Sequence, residues 1–174
     1  ANLLPWQQLA LRAQARLVIL PLDARGEIDL DAATRLIGPR TRILAVSQLS
    51  NVLGRWQPLE SLVRLARAKG AISVVDGAQG SVHGRYDLQA LGCDFYAFSG
   101  HKLYGPDGVG VLYGRDGCLD LLRPWQFGGE MVRRADFHDA DFHAAPMGLE
   151  AGTPPIAGVI GLGTALDYLA SLDV

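Results

Sequence analysis

The stretches ISVVDGAQG (residues 72–80) and FYAFSGHKLYGP (residues 95–106) share one design. Each opens on a run of β-branched or aromatic residues and breaks off into small, polar and charged ones. A run that is apolar at nearly every position, without alternation, suits a strand covered on both faces. Leu17–Leu22 (LVILPL), Ile43–Ser47 (ILAVS) and Val109–Tyr113 (VGVLY) carry the same signature, as do Ile72–Val75 and Phe95–Phe98 within the quoted stretches. Pro21 relegates the first run to a sheet edge or a strand end, because proline has no amide to give to a ladder.

Amphipathic segments lie between the runs. In Pro58–Lys69, Leu59, Leu62, Val63 and Ala66 fall on one helical stripe, with Pro58 near the start and Gly70 just past the end. Asp31–Ile37 is a shorter helix candidate. Thr153 and Pro154 read as N-cap and first residue of a last helix. Strands and helices alternating at this spacing predict an α/β fold with a mostly parallel sheet flanked by helices.

Composition narrows the function classes. The chain has 174 residues, 49% hydrophobic and 20% charged, with a net charge of −2, which suits one domain and excludes a disordered chain. A pI near 6.1 argues against a nucleic-acid binder. Cys93 and Cys118 have no C-x-x-C spacing, so neither a disulfide scaffold nor a zinc site is indicated, and a reducing, cytoplasmic setting is expected. The uncharged stretch Ala151–Leu166 falls short of the roughly 20 apolar residues of a spanning helix; a buried helix is expected there, and no membrane role. With no initiator Met and ends inside helical patterns, the chain reads as a piece of a longer protein.

In open α/β sheets, ligands bind beyond the carboxyl ends of the strands. There the chain places Gln48, Ser50 and Asn51 after ILAVS, Asp76, Gly77 and Gln79 after ISVV, and Ser99, His101 and Lys102 after FYAF. Lys102 is one of two lysines against fourteen arginines. A guanidinium stays protonated and cannot form an imine, whereas an amine at a strand end suits a Schiff base to a carbonyl cofactor. Such a cofactor needs a carboxylate that keeps a pyridine nitrogen protonated, and Asp76 on the preceding strand qualifies. Ser99, His101 and the amides around Gly100 suit a phosphate.

The segments SNVLG (50–54), VDGAQG (75–80), DFYAFSGHKLYGPDGVGVLYG (94–114) and LEAGTP (149–154) together resemble the cysteine desulfurases, pyridoxal 5′-phosphate (PLP) enzymes of the class-V aminotransferase group, with the nearest likeness to the cysteine sulfinate desulfinase branch. The resemblance covers essentially the whole chain. It implies the large domain of an aspartate aminotransferase-like fold, with Lys102 as imine former and catalytic residue and Asp76 on the pyridine nitrogen. It also implies Gln79 on the ring hydroxyl, Asn51 near that hydroxyl and the substrate carboxylate, and Ser99 and His101 on the phosphate. Thr153 would reach the phosphate site of a second subunit in a homodimer. L-Cysteine or a like amino acid would be the substrate, alanine the product, and an acceptor protein a possible destination of the sulfur.

The departures are specific. The family's ring-stacking His falls just before Ala1, and its nucleophilic cysteine and a substrate-binding arginine fall beyond Val174. Gln48 replaces a His of one branch, which weakens a role there, and Pro155 stands where Asn is usual. Other class-V activities (transaminase, epimerase, selenocysteine lyase) share the pocket, and as isolated the chain could be a non-catalytic α/β module. Cys93 reads as buried packing and Cys118 as a surface thiol at a helix start. The run ADFHDADFH (135–143) reads as a solvated loop rather than a metal site.

Overall fold

The computed structural model describes residues 2–172 and divides into two compact units, Ala1–Tyr96 and Ala97–Val174. The first begins with α1 (Leu3–Arg12) and α2 (Leu30–Leu36). Helix α2 starts one residue earlier than expected, because the Asp29 carboxylate accepts a hydrogen bond from the Ala32 amide at 2.9 Å and caps it. Next come β1 (Ile43–Ser47), α3 (Leu59–Ala68), β2 (Ile72–Asp76) and the single-turn helices α4 (Gly80–His83) and α5 (Leu88–Leu91). β1 and β2 pair in parallel, Ile43 against Ile72 through to Ser47 against Asp76.

Helix α3 makes that crossover possible. Its stripe of Leu59, Leu62, Val63 and Ala66 is buried as the periodicity requires, and Gly70 (φ +70°) turns the chain into β2. Strand β2 is tied from beneath by Asp94, whose carboxylate accepts from both the amide and the hydroxyl of Ser73, each at 2.8 Å, while the Asp94 amide donates to the Ser73 hydroxyl. Ser73 is 1% exposed, so these bonds replace water that cannot reach it.

Strand β3 (Phe95–Ser99) leads from the first unit into the second. There a 3₁₀ turn (Gly100–Leu103) precedes β4 (Gly110–Gly114), and β5 (Val132–Ala135) and β6 (Ala140–Phe142) form an antiparallel hairpin before α6 (Ile156–Ser171). Parallel strands flanked by helices give the α/β class expected.

Several expectations need correction. Leu17–Leu22 is not a strand: only Leu22 makes an isolated bridge, to Ile28, and Leu17, Val18, Ile19 and Leu22 are exposed. An apolar run still needs a neighbouring strand to pair with. Thr153 does not cap α6. Pro154 precedes Pro155 and is kept out of the helical region, so the helix starts at Ile156 with Pro155 as its N-cap residue. That helix is not buried either, since Leu162 alone among its residues is inaccessible. Cys118 is buried, 5% exposed, at the tight turn where its amide donates to the Arg115 carbonyl.

Among the described residues no helix is long and apolar enough to cross a membrane. The ADFHDADFH run is not the expected loop but the end of β5, the hairpin tip and β6, with Asp136 accepting from the His138 and Asp139 amides at the tip and Asp141 3.6 Å from both Arg133 and Arg134. Its acids thus serve a turn and ion pairs, and no group of three or more metal-ligating side chains occurs among the described residues.

Replacing Asp94 by Ala removes the acceptor of both the Ser73 amide and the Ser73 hydroxyl in a place water does not reach. We expect a loss of about 2–4 kcal/mol in unfolding free energy, read from denaturant titration.

Candidate active site

Each unit carries part of the predicted constellation. In the first, the parallel register sets the ends of β1 and β2 level, and the Gln48 amide extends the ladder by donating to the Asp76 carbonyl at 2.9 Å. The chain then leaves β1 through a turn built on Ser50, whose hydroxyl accepts from the Val52 and Leu53 amides at 3.3 and 3.1 Å. Asn51 is exposed on that turn. Beyond β2, the Asp76 carboxylate accepts from the Ala78 amide at 3.0 Å, an Asx turn that fixes one oxygen. Asp76 and Gln79 are half-buried and share this loop, Gln79 standing at the start of α4.

The loop lies on two buried side chains. A Cβ at Gly77 would overlap the Tyr96 ring, and one at Gly80 would overlap the Gln48 side chain. Only glycine lets the backbone approach this closely. The Tyr96 hydroxyl donates to Gln48 Oε1 at 2.5 Å, and Gln48 is 0% exposed. Burial pushes the Tyr96 phenol well above its ordinary range, and negative charge at Cys93, Tyr86 and Asp76 adds to the shift. Gln48 Nε2 is buried with no hydrogen-bond partner among the described residues. Sequence reasoning assigns Gln48 only a weak role and Tyr96 no role beyond its strand. The signal for both is the pair of glycines spaced Gly77 to Gly80.

In the second unit, Ser99 ends β3 half-buried, and the 3₁₀ turn buries Gly100 and Leu103 while His101 and Lys102 are exposed. The turn closes with the Gly105 amide donating to the Gly100 carbonyl at 3.0 Å and with Tyr104 at φ +62°. A left-handed backbone at a tyrosine is uncommon and must be held by its surroundings. Helix α6 does part of this: Leu162 packs against Gly100 and Gly105, Gly161 faces Pro106, and Gly158 faces Val109. Ser99, His101 and Lys102 therefore sit on one braced segment. Thr153 is exposed on the approach to α6 rather than on that turn.

The donor set fits PLP. Lys102 offers an amine for an aldehyde, Asp76 a carboxylate for a pyridine nitrogen, Ser99 and His101 a hydroxyl and an imidazole for a phosphate.

A parallel β1–β2 pair with a carboxylate loop in one unit and a braced lysine turn in the other give an α/β chain the residue types that a carbonyl cofactor needs. The aminotransferase class-V family model matches residues 1–174, and the chain belongs to that family, which uses PLP. It is 73% identical over 173 residues to a probable cysteine desulfurase of Pseudomonas putida, covering 99% of this chain and 43% of that protein. It is 50% identical to the cysteine desulfurase CsdA of Escherichia coli, whose crystal structure it matches with a TM-score of 0.96 over 99% of this chain and 43% of that one. A NifS-like protein matches with a TM-score of 0.79 at 26% identity, over 96% of this chain and 42% of that one. The chain thus spans less than half the length of these relatives.

Gly77→Ala should force the loop off the Tyr96 ring and cost about 1–3 kcal/mol, measured as a lowered unfolding midpoint.

Proposed function

We propose that this chain is the cofactor-binding part of a cysteine desulfurase that converts L-cysteine to L-alanine and passes the sulfur to a cysteine thiolate outside residues 1–174. The observation that carries the reading is Lys102, an exposed amine on a braced turn, in a chain 73% identical to a probable cysteine desulfurase. When bound, PLP supplies an aldehyde that condenses with amines and a protonated ring that withdraws electrons from the substrate.

The chain's own residues supply the rest. Asp76, with one oxygen fixed by the Ala78 amide, holds a proton on the ring nitrogen. Ser99 and His101 anchor the phosphate, Gln79 meets the ring hydroxyl, and Asn51 meets the substrate carboxylate. Lys102 Nζ anchors the aldehyde at rest and moves a proton at the substrate Cα. The external thiolate bonds to the substrate sulfur as the C–S bond breaks; the electron pair of that bond stays on Cβ and takes up a proton, giving alanine and a persulfide. Cys93 and Cys118 are poor alternatives for that thiolate, being 0% and 5% exposed.

A homodimer belongs to the same reading. Thr153, exposed and outside the Lys102 turn, is free to serve a second subunit's phosphate site. An acceptor protein would take the persulfide sulfur onward, for uses such as iron–sulfur cluster assembly. The cytoplasm is the proposed location, in keeping with two cysteines, Cys93 and Cys118, that lack any C-x-x-C spacing.

In the full-length protein, Lys102→Ala should abolish the visible absorbance of bound PLP and lower alanine formation from L-cysteine at least about a hundredfold. Lys102→Arg should do no better, since guanidinium cannot replace the amine. Retention of the parent's visible band in Lys102→Ala would remove the assignment.

A further inference from the structure

We propose that the buried Gln48–Tyr96 pair is a positioning device for the Asp76–Gly80 loop, setting the height at which Asp76 and Gln79 meet the cofactor ring without touching the ring itself. The proposal rests on the cofactor reading for what the loop holds, but its structural part stands on the first unit alone.

The geometry is specific. Gly77 and Gly80, three apart, are two places where the loop backbone bears directly on other side chains, the Tyr96 ring and the Gln48 side chain. Those two supports are themselves joined by the hydrogen bond from the Tyr96 hydroxyl to Gln48 Oε1. Gln48 is anchored through its backbone as well: its amide donates to the Asp76 carbonyl and its carbonyl accepts from the Gln57 amide, each at 2.9 Å. One buried polar pair therefore touches the loop at Asp76, Gly77 and Gly80. Gln48 and Tyr96 are both buried beneath a loop whose own polar residues, Asp76 and Gln79, are half-buried.

Apolar residues would fill this space at lower desolvation cost, since a buried amide and phenol must satisfy one another. What the polar pair adds is direction: a hydrogen bond fixes the amide against the phenol, whereas hydrocarbon contacts would let both slide. The electrostatics agree with this placement, because the Asp76 charge is felt at the Tyr96 hydroxyl. Loss of the phenol oxygen should therefore loosen the loop and change the setting of the Asp76 carboxylate, even though the carboxylate remains.

The test uses the full-length protein with Tyr96→Phe, which removes one oxygen, and Gln48→Met, which keeps the length of the side chain. Ser73→Ala is the control for general destabilisation, since Ser73 is buried on the same strand as Asp76 but bonds to Asp94. Amide hydrogen exchange of residues 77–80, measured without PLP, reads the positioning directly. Either variant should speed it about tenfold, the scale of one lost hydrogen bond, while the control leaves it at the parent rate. With PLP added, the same variants should bind it about five- to tenfold more weakly and move the pH midpoint of the visible band, again unlike the control. Parent-like exchange of residues 77–80 in both variants overturns the proposal, as does an equal increase in the Ser73→Ala control. If Tyr96→Phe alone fails to fold, Gln48→Met decides by the same two outcomes. Faster exchange in the variants of a parent protein that develops no visible band with PLP would uphold the pair as the loop's support and overturn the cofactor reading instead.

Discussion

The parallel pairing of β1 with β2 is the constraint on which the first unit depends. Parallel strands cannot be joined by a tight turn, so the chain must cross over, and α3 does so by burying one apolar stripe. Both strands then end at the same edge, with Ser47 opposite Asp76. Two segments with unrelated sequences, the Ser50 turn and the Asp76 loop, emerge together for no reason other than this register. A one-residue slip would turn every side chain of β2 to the opposite face, placing Ser73 away from Asp94 and Asp76 away from its loop.

A parallel register supplies the edge but not the precision. Loops beyond strand ends are ordinarily the least constrained parts of a fold. Here the two loops that carry the candidate site residues are each fixed by close approach to bulky side chains through glycine. The Asp76 loop lies on Tyr96 and Gln48 through Gly77 and Gly80, and the Lys102 turn lies against Leu162 of α6 through Gly100 and Gly105. The same device is used twice, from two different supports. It leaves Asp76 half-buried and Lys102 exposed while glycines close to them in the chain, Gly77 and Gly100, are buried.

Much of this was legible in the sequence because the governing signals are local. Unbroken apolar runs marked β1, β2, β3 and β4, and the helical stripe with its terminal glycine marked α3. The residues after each run put Asn51, Asp76, Gln79, Ser99, His101 and Lys102 at the strand ends, where the structure has them. The failures are mostly non-local. Leu17–Leu22 has the composition of a strand, but pairing depends on a neighbour that no window of sequence contains. The start of α6 is a local miss: the Thr-Pro signature ignores the second proline, which moves the helix to Ile156. Cys118 reads as a surface thiol from its Asp-Gly neighbours and is nevertheless buried, because a turn can direct its next side chain either way. Gln48 shows the same limit, since its partner Tyr96 lies 48 positions further along the chain.

The braces also explain why α6 looks misplaced when judged by burial alone. Ile156, Val159 and Ile160 are exposed, which is costly for a helix so apolar, yet the side bearing Gly158, Gly161 and Leu162 is in close contact with the segment from Gly100 to Val109. Small residues on that side let the helix axis come near enough to hold a short 3₁₀ turn that ends at Tyr104 in the left-handed region. A bulkier residue at Gly158 or Gly161 would meet Val109 or Pro106 and push the helix away from the turn. The composition of α6 is therefore set by the Lys102 turn it supports. Its glycines, which in isolation argue against a stable helix, are what bring it close enough to keep that lysine in place.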